Sequence, residues 1–70
     1  MMFDPQQYYD LGFIAGKKLY SKNSSYPQVD LHNKAKQEAK AKPMLMQVHF
    51  RDGFLAGYDE AGQEVQKQQT

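Results

Sequence analysis

Lysine is the residue type whose number and spacing most clearly suggest chemistry in this sequence of 70 residues. Between residues 17 and 42, seven lysines face only two acids, Asp30 and Glu38, so this segment carries a charge of +5. The segments before and after it carry −2 each, and the net charge is +1. A basic patch is typical of a protein that binds phosphates, although a solvated lysine-rich face has the same composition. The candidate nucleic-acid-binding lysines are Lys17, Lys18, Lys22, Lys34, Lys36, Lys40 and Lys42.

The remaining residues with reactive side chains are too scattered to indicate a catalytic site. The chain has no cysteine, and neither of its two histidines, His32 and His49, has a partner at a fixed spacing. The serines fall in a polar stretch, SKNSSYP at residues 21–27, where a loop needs such residues anyway. A domain of this size has little room to enclose a substrate. We therefore expect a protein that is not an enzyme and that uses no metal and no cofactor.

A repeated pentapeptide indicates how the chain is held together. GFIAG at residues 12–16 returns as GFLAG at residues 53–57, and the alignment also matches Tyr9 with Phe50. Each glycine inside a helix costs about 1 kcal/mol relative to alanine. Glycines four residues apart share one helix face and let two helix backbones approach closely, which can offset that cost. The predicted helix-packing residues are Gly12, Phe13, Ala15, Gly16, Phe50, Gly53, Phe54 and Gly57.

The first of these helices has clear start signals and is predicted over residues 5–20. Asp4 is a suitable N-cap, and Pro5 follows at the first helical position, where its missing N–H is not needed. Gln7 stands at the capping-box position, and Phe3 and Tyr8 have the spacing of a hydrophobic staple.

The rest of the chain is predicted as a basic connector over residues 21–43, a second helix over residues 44–65 and a frayed tail over residues 66–70. Within the connector, Leu31, Ala35 and Ala39 recur four apart after a candidate cap at Asp30, so the connector could hold a short third helix. Residues 44–65 also fit a β-hairpin with a turn at Arg51–Gly53, but the repeat of a helical segment favours helix.

These elements predict one mainly α-helical domain over residues 1–70, in which two long helices pack through their Gly-xxx-Gly faces. An α+β fold with a C-terminal hairpin is the alternative. The sequence shows no secretory signal and no apolar run near the roughly 18 residues of a membrane span. We expect a cytoplasmic protein without a membrane partner.

Three short stretches of the chain form a pattern: GFIAG at residues 12–16, the pair Tyr26–Pro27, and FRDGF at residues 50–54 followed by DEA at residues 59–61. This pattern resembles the ribosome modulation factor family, which includes small phage- and plasmid-borne proteins. This chain departs from the family in having no tryptophan, a longer connector and a nearly neutral charge. The resemblance implies a two-helix protein that binds ribosomal RNA and helps to store inactive ribosomes.

Two functions follow from these observations. In the first, the lysines contact RNA or ribosomal phosphates and Tyr26, or alternatively Tyr20, stacks on a base, which makes the protein a ribosome- or RNA-associated modulator. In the second, a phage- or plasmid-type small protein binds and modulates a host protein, or a second copy of itself, through aromatic anchors. The candidate anchors are Tyr8, Tyr9, Tyr20, Phe54 and Tyr58.

Overall fold

The computed structural model describes the backbone of residues 3–68 and the side chains of residues 3–65. Three α-helices run in the order α1 (Pro5–Lys22), α2 (Gln28–Ala39) and α3 (Gln47–Gln68), and a single 3₁₀ turn at Met44–Met46 leads into α3. No strand occurs within these described residues, so the mainly α prediction is confirmed and the C-terminal hairpin is not formed.

Helix α1 begins where the start signals predict. The Asp4 carboxylate accepts a hydrogen bond from the backbone N–H of Gln6 at 3.0 Å, and Pro5 is the first helical residue. The rings of Phe3 and Tyr8 meet edge to face with their centroids 6.0 Å apart, as expected for a hydrophobic staple. The helix continues two residues past the predicted end, to Lys22, because the backbone N–H of Asn23 still reaches the carbonyl of Leu19 at 2.8 Å.

Helices α1 and α3 cross through the two Gly-xxx-Gly faces, and all four glycines are buried. A Cβ atom added at Gly12 would overlap the Phe50 carbonyl oxygen, and one at Gly16 would overlap that of Phe54. None of the described glycines has a positive φ, so these positions need glycine for its small size and not for its conformational freedom.

The contacts of α3 with α1 mirror those of α1 with α3. A Cβ atom at Gly53 would overlap the Tyr9 carbonyl oxygen, and one at Gly57 would overlap that of Phe13. Adding 41, the offset of the sequence repeat, to the α1 residue of a contact and subtracting it from the α3 residue converts Gly12–Phe50 into Gly53–Tyr9. The same operation converts Gly16–Phe54 into Gly57–Phe13. The two helices are therefore parallel and related by an approximate two-fold axis that runs between them.

The parallel arrangement requires the chain to return along the molecule between α1 and α3, and α2 makes this return. Its buried stripe of Leu31, Ala35 and Ala39 packs on the paired helices, beside Phe50, Phe54 and Tyr58 of α3 and Ala15 and Leu19 of α1. Phe54, at 1% exposure, is the centre of this core. The short third helix that the sequence allowed within the connector is therefore formed, and it is α2.

The start of α2 and both ends of α3 differ from the predictions. Asp30 is not the N-cap of α2: Pro27 takes that position without a side-chain hydrogen bond, and Asp30 lies in the first turn. A carboxylate there still interacts favourably with the helix dipole. Helix α3 starts three residues later than predicted, after the 3₁₀ turn, and extends past residue 65 to Gln68. The last two residues of the predicted frayed tail, 69 and 70, lie outside the described residues.

Gly57→Ala should lower the free energy of unfolding by about 1–3 kcal/mol, because the new methyl group must push two backbones apart. Gly62→Ala is the matched control on the same helix. Its added Cβ would meet the Tyr20 ring at 3.4 Å, which is an ordinary contact, and alanine favours helix by about 1 kcal/mol. Urea unfolding of both variants measures the difference. Equal midpoints would contradict the close backbone contact.

Candidate nucleic-acid interface

The lysines of α2 lie on both sides of its buried stripe. Lys34 is adjacent in sequence to the buried Ala35 on one side, and Lys36 is adjacent to it on the other. Lys40 follows Lys36 by one turn and therefore shares its side of the helix. Helix α2 thus presents basic groups to two grooves, one shared with α1 and one shared with α3.

The groove between α1 and α2 brings together four of the predicted binding residues. Lys18 and Lys22 come from the last turns of α1, Lys34 comes from α2, and Tyr26 lies in the loop that joins these helices. Lys18 and Lys22 are exposed, whereas Lys34 and Tyr26 are half-buried. Lys34 lies 4.0 Å from the Glu38 carboxylate, but Lys18 and Lys22 have no ion-pair partner among the described side chains.

The groove between α2 and α3 is also basic. It is lined by Lys36 and Lys40 of α2 and by Arg51 of α3, with Gln47 and Val48 between them. Arg51 was assigned by sequence to an acidic C-terminal segment, yet the antiparallel packing of α2 on α3 places it beside the lysines. No spacing along one helix indicates this position, because it results from the packing of α3 on α2.

Two of the predicted lysines, Lys17 and Lys42, do not line these two grooves, and the ammonium group of each lies over an aromatic ring. The Lys17 ammonium lies 3.0 Å from the Glu64 carboxylate and 5.3 Å from the centre of the Phe13 ring, on the side of α1 away from α2. The Lys42 ammonium, three residues beyond the end of α2, lies 5.0 Å from the centre of the Phe50 ring. The basic surface is therefore formed by Lys18, Lys22, Lys34, Lys36, Lys40 and Arg51 around α2, which we call the α2 face.

Tyr58 fixes the loop that carries Tyr26. Its hydroxyl donates to the Asn23 carbonyl at 2.9 Å and accepts from the backbone N–H of Tyr26 at 3.1 Å. Its ring meets those of Tyr20 and Tyr26 edge to face, with centroids 5.1 Å and 6.3 Å away. Sequence reasoning treated Tyr58 as a surface anchor for a partner. It is instead buried, as is Phe54, so neither residue is free to anchor a partner.

The other sequence-predicted residues take structural positions. The eight predicted helix-packing residues all lie at the crossing of α1 and α3 or in the core beside it. His32 lines a groove with Tyr20, Leu31 and Tyr58. Among the described residues, no group of three or more histidine, cysteine or acidic side chains could hold a metal ion, and no helix has both the length and the apolarity to cross a membrane.

Comparison with protein-family models, with curated proteins and with solved structures finds no match to this chain. The arrangement of its own residues therefore carries the functional argument.

Tyr58→Phe should loosen the loop at residues 23–27, because it removes both hydrogen bonds to the loop backbone while keeping the ring. We expect a loss of about 1 kcal/mol in the free energy of unfolding and faster hydrogen exchange at the Tyr26 amide. Tyr20→Phe is the control, since the described residues offer its hydroxyl no hydrogen-bond partner while its ring packs on Tyr58. If Tyr58→Phe and Tyr20→Phe behave alike, the hydroxyl does not hold the loop.

Proposed function

We propose that this protein is a small RNA-binding module that contacts phosphates with the α2 face. The observation that carries the proposal is the convergence of Lys18, Lys22 and Lys34 on one groove beside Tyr26, although they come from two different helices. Ammonium groups spaced along a groove track a nucleic-acid backbone, and an aromatic ring between them offers a base a stacking platform.

The uneven charge distribution supports this proposal. The α2 face carries six basic groups against the two acids of α2, Asp30 and Glu38, and the acids Asp52, Glu60 and Glu64 belong to α3. A nearly neutral chain can therefore still attract a polyanion to one side, because the field near a patch depends on local charge. At physiological salt the field reaches only about 8 Å, so the acids on the far side weaken it little.

Single-stranded RNA fits the groove better than duplex recognition through a helix in the major groove. The groove is lined by side chains of two helices and a tyrosine, and α2 is packed onto α1 and α3, so it does not project as a recognition helix. Single strands can place an unpaired base against a tyrosine, whereas stacked duplex bases are not available to it.

The resemblance to the ribosome modulation factor family extends the proposal to ribosomal RNA. Residues 12–16 and 50–54, which carry that resemblance, form the helix crossing and not the basic surface. They support the proposal by supplying the frame on which the lysines are arranged. The ribosome is accordingly the proposed particle, and the α2 face is the proposed contact surface.

Lys22→Gln should weaken binding to a short single-stranded RNA and reduce the slope of log affinity against log salt by about 0.7, because one phosphate contact is lost. Lys17→Gln is the control, with the same change in net charge on the side away from α2. Fluorescence anisotropy at several salt concentrations gives both slopes. Equal effects of the two substitutions would mean that RNA responds to net charge and does not use this groove.

Tagged protein in a cell lysate should sediment with ribosomal particles through a sucrose gradient at low salt and remain at the top of the gradient at high salt. The reason is that release of counterions from phosphates makes such binding steeply salt-dependent. The triple variant Lys18→Gln, Lys22→Gln, Lys34→Gln should stay at the top at both salt concentrations. Unmodified protein that stays at the top at low salt would reject ribosome association, while RNA binding in isolation would be judged by the anisotropy experiment.

A further inference from the structure

The approximate two-fold axis between α1 and α3 creates two equivalent grooves along the helix pair. The first groove has Phe50 and Phe54 of α3 on one wall and Ala15 and Leu19 of α1 on the other, and α2 fills it. Subtracting the repeat offset of 41 from the α3 positions and adding it to the α1 positions gives the equivalent residues of the second groove. The walls of the second groove are therefore Tyr9 and Phe13 of α1 and Ala56 and Glu60 of α3.

The second groove has the same aromatic construction as the first but no covering helix. The ring centroids of Tyr9 and Phe13 are 6.4 Å apart, and those of Phe50 and Phe54 are 6.3 Å apart. Phe50 and Phe54 are 5% and 1% exposed because α2 lies over them, whereas Tyr9 and Phe13 are only half-buried. Within residues 3–68, α2 packs on α3 in the first groove, and the 3₁₀ turn packs on α3 at the end of that groove. Neither element covers the second groove.

The charge around the second groove is opposite to that of the α2 face. Asp52, Ala56 and Glu60 follow one another at intervals of four residues, so both carboxylates border the groove on the Ala56 wall. Glu64 continues this row and holds Lys17 at 3.0 Å. Three carboxylates and one ammonium group therefore border the groove, which favours a basic occupant over RNA or another acidic molecule.

The helix in the first groove shows what shape the second one accepts. Helix α2 meets the aromatic wall with Leu31, Ala35 and Ala39, and the two alanines are 0% and 3% exposed because the helix lies so close. Lysines flank this stripe on both sides. An occupant of the second groove should likewise carry leucine or alanine at intervals of four and basic residues beside them.

We propose that the second groove binds an amphipathic helix of a partner protein that has a leucine–alanine stripe flanked by lysine or arginine. The aromatic rings of Tyr9 and Phe13 pack on the stripe, and Asp52 and Glu60 pair with the basic flanks. By the two-fold relation, this helix runs antiparallel to α1 and α3, as α2 does. The groove lies across the molecule from the α2 face, so RNA and a partner helix can bind together.

A peptide with the sequence of residues 28–42 is a suitable probe, because its stripe and lysines match the required pattern. A covalent staple between positions 33 and 37, both exposed in α2, would keep it helical without covering the stripe. Titrated into the full-length protein, it should shift the NMR signals of Phe13 and Ala56 and leave those of Ala15 and Phe54 unchanged. Absence of binding, or shifts at Ala15 and Phe54 instead, would overturn the proposal, since the latter means that the peptide displaces α2.

Charge reversal at two sites separates binding in the second groove from an effect of net charge. Asp52→Lys should weaken peptide binding about tenfold, because it places like charges together at the groove. Glu38→Lys makes the same change in net charge at an exposed position of α2, across the molecule from the second groove, and should leave the affinity within about twofold. Equal losses in both variants would overturn the proposal. Circular dichroism checks that both remain folded.

Two other occupants give distinct results. If the full-length protein sediments as a dimer and Ala56→Arg makes it monomeric, a second copy fills the groove and the proposed partner helix is rejected. If a short single-stranded RNA shifts Phe13 and Ala56, the groove belongs to the nucleic-acid site and the proposal is likewise rejected. A monomer whose Phe13 and Ala56 respond to the peptide and not to RNA supports it.

Discussion

The close contact of two helix backbones is the constraint on which the whole structure depends. At Gly12, Gly16, Gly53 and Gly57 the place of a Cβ atom is taken by a carbonyl oxygen of the facing helix. A glycine Cα–H therefore points at that oxygen, and such a contact contributes about 0.5–1 kcal/mol. This gain is of the same order as the roughly 1 kcal/mol by which each glycine weakens its own helix. The four glycines can thus remain in helices that alanine would otherwise favour.

The sequence carried enough information to predict this contact but not its direction. The repeat of GFIAG and GFLAG indicates that two helices meet, and the Asp4–Pro5 start signal gives one boundary to the residue. Small residues on one face permit parallel and antiparallel crossings alike, so the parallel arrangement appears only in the structure. It follows from the reciprocal contacts of Gly12 with Phe50 and of Gly53 with Tyr9. Once the direction is known, the chain must return along the molecule before α3 begins, and α2, with its buried stripe of Leu31, Ala35 and Ala39, makes this return.

The candidate site shows the same division between what a sequence can and cannot provide. The lysine count predicts a basic surface, but a count does not distinguish Lys22, which faces the α1–α2 groove, from Lys17, which pairs with Glu64 across the helix crossing. Arg51 joins Lys36 and Lys40 through packing between residues distant in the chain, and no local pattern marks such a neighbour. Likewise the hydroxyl of Tyr58 reaches a loop more than thirty residues earlier, a relation that spacing along one helix cannot reveal.

The parallel crossing also affects the order in which the molecule can fold. The backbone contacts that hold α1 to α3 join residues about 40 positions apart in a chain of 70. Small helical proteins usually fold fast because most of their contacts are local, and folding slows as the mean separation of contacting residues grows. During synthesis the glycine face of α1 stays uncovered until α3 has been made. Helix α2 is the nearer partner of α3 along the chain, so their packing can form first and bring α1 and α3 within reach of each other.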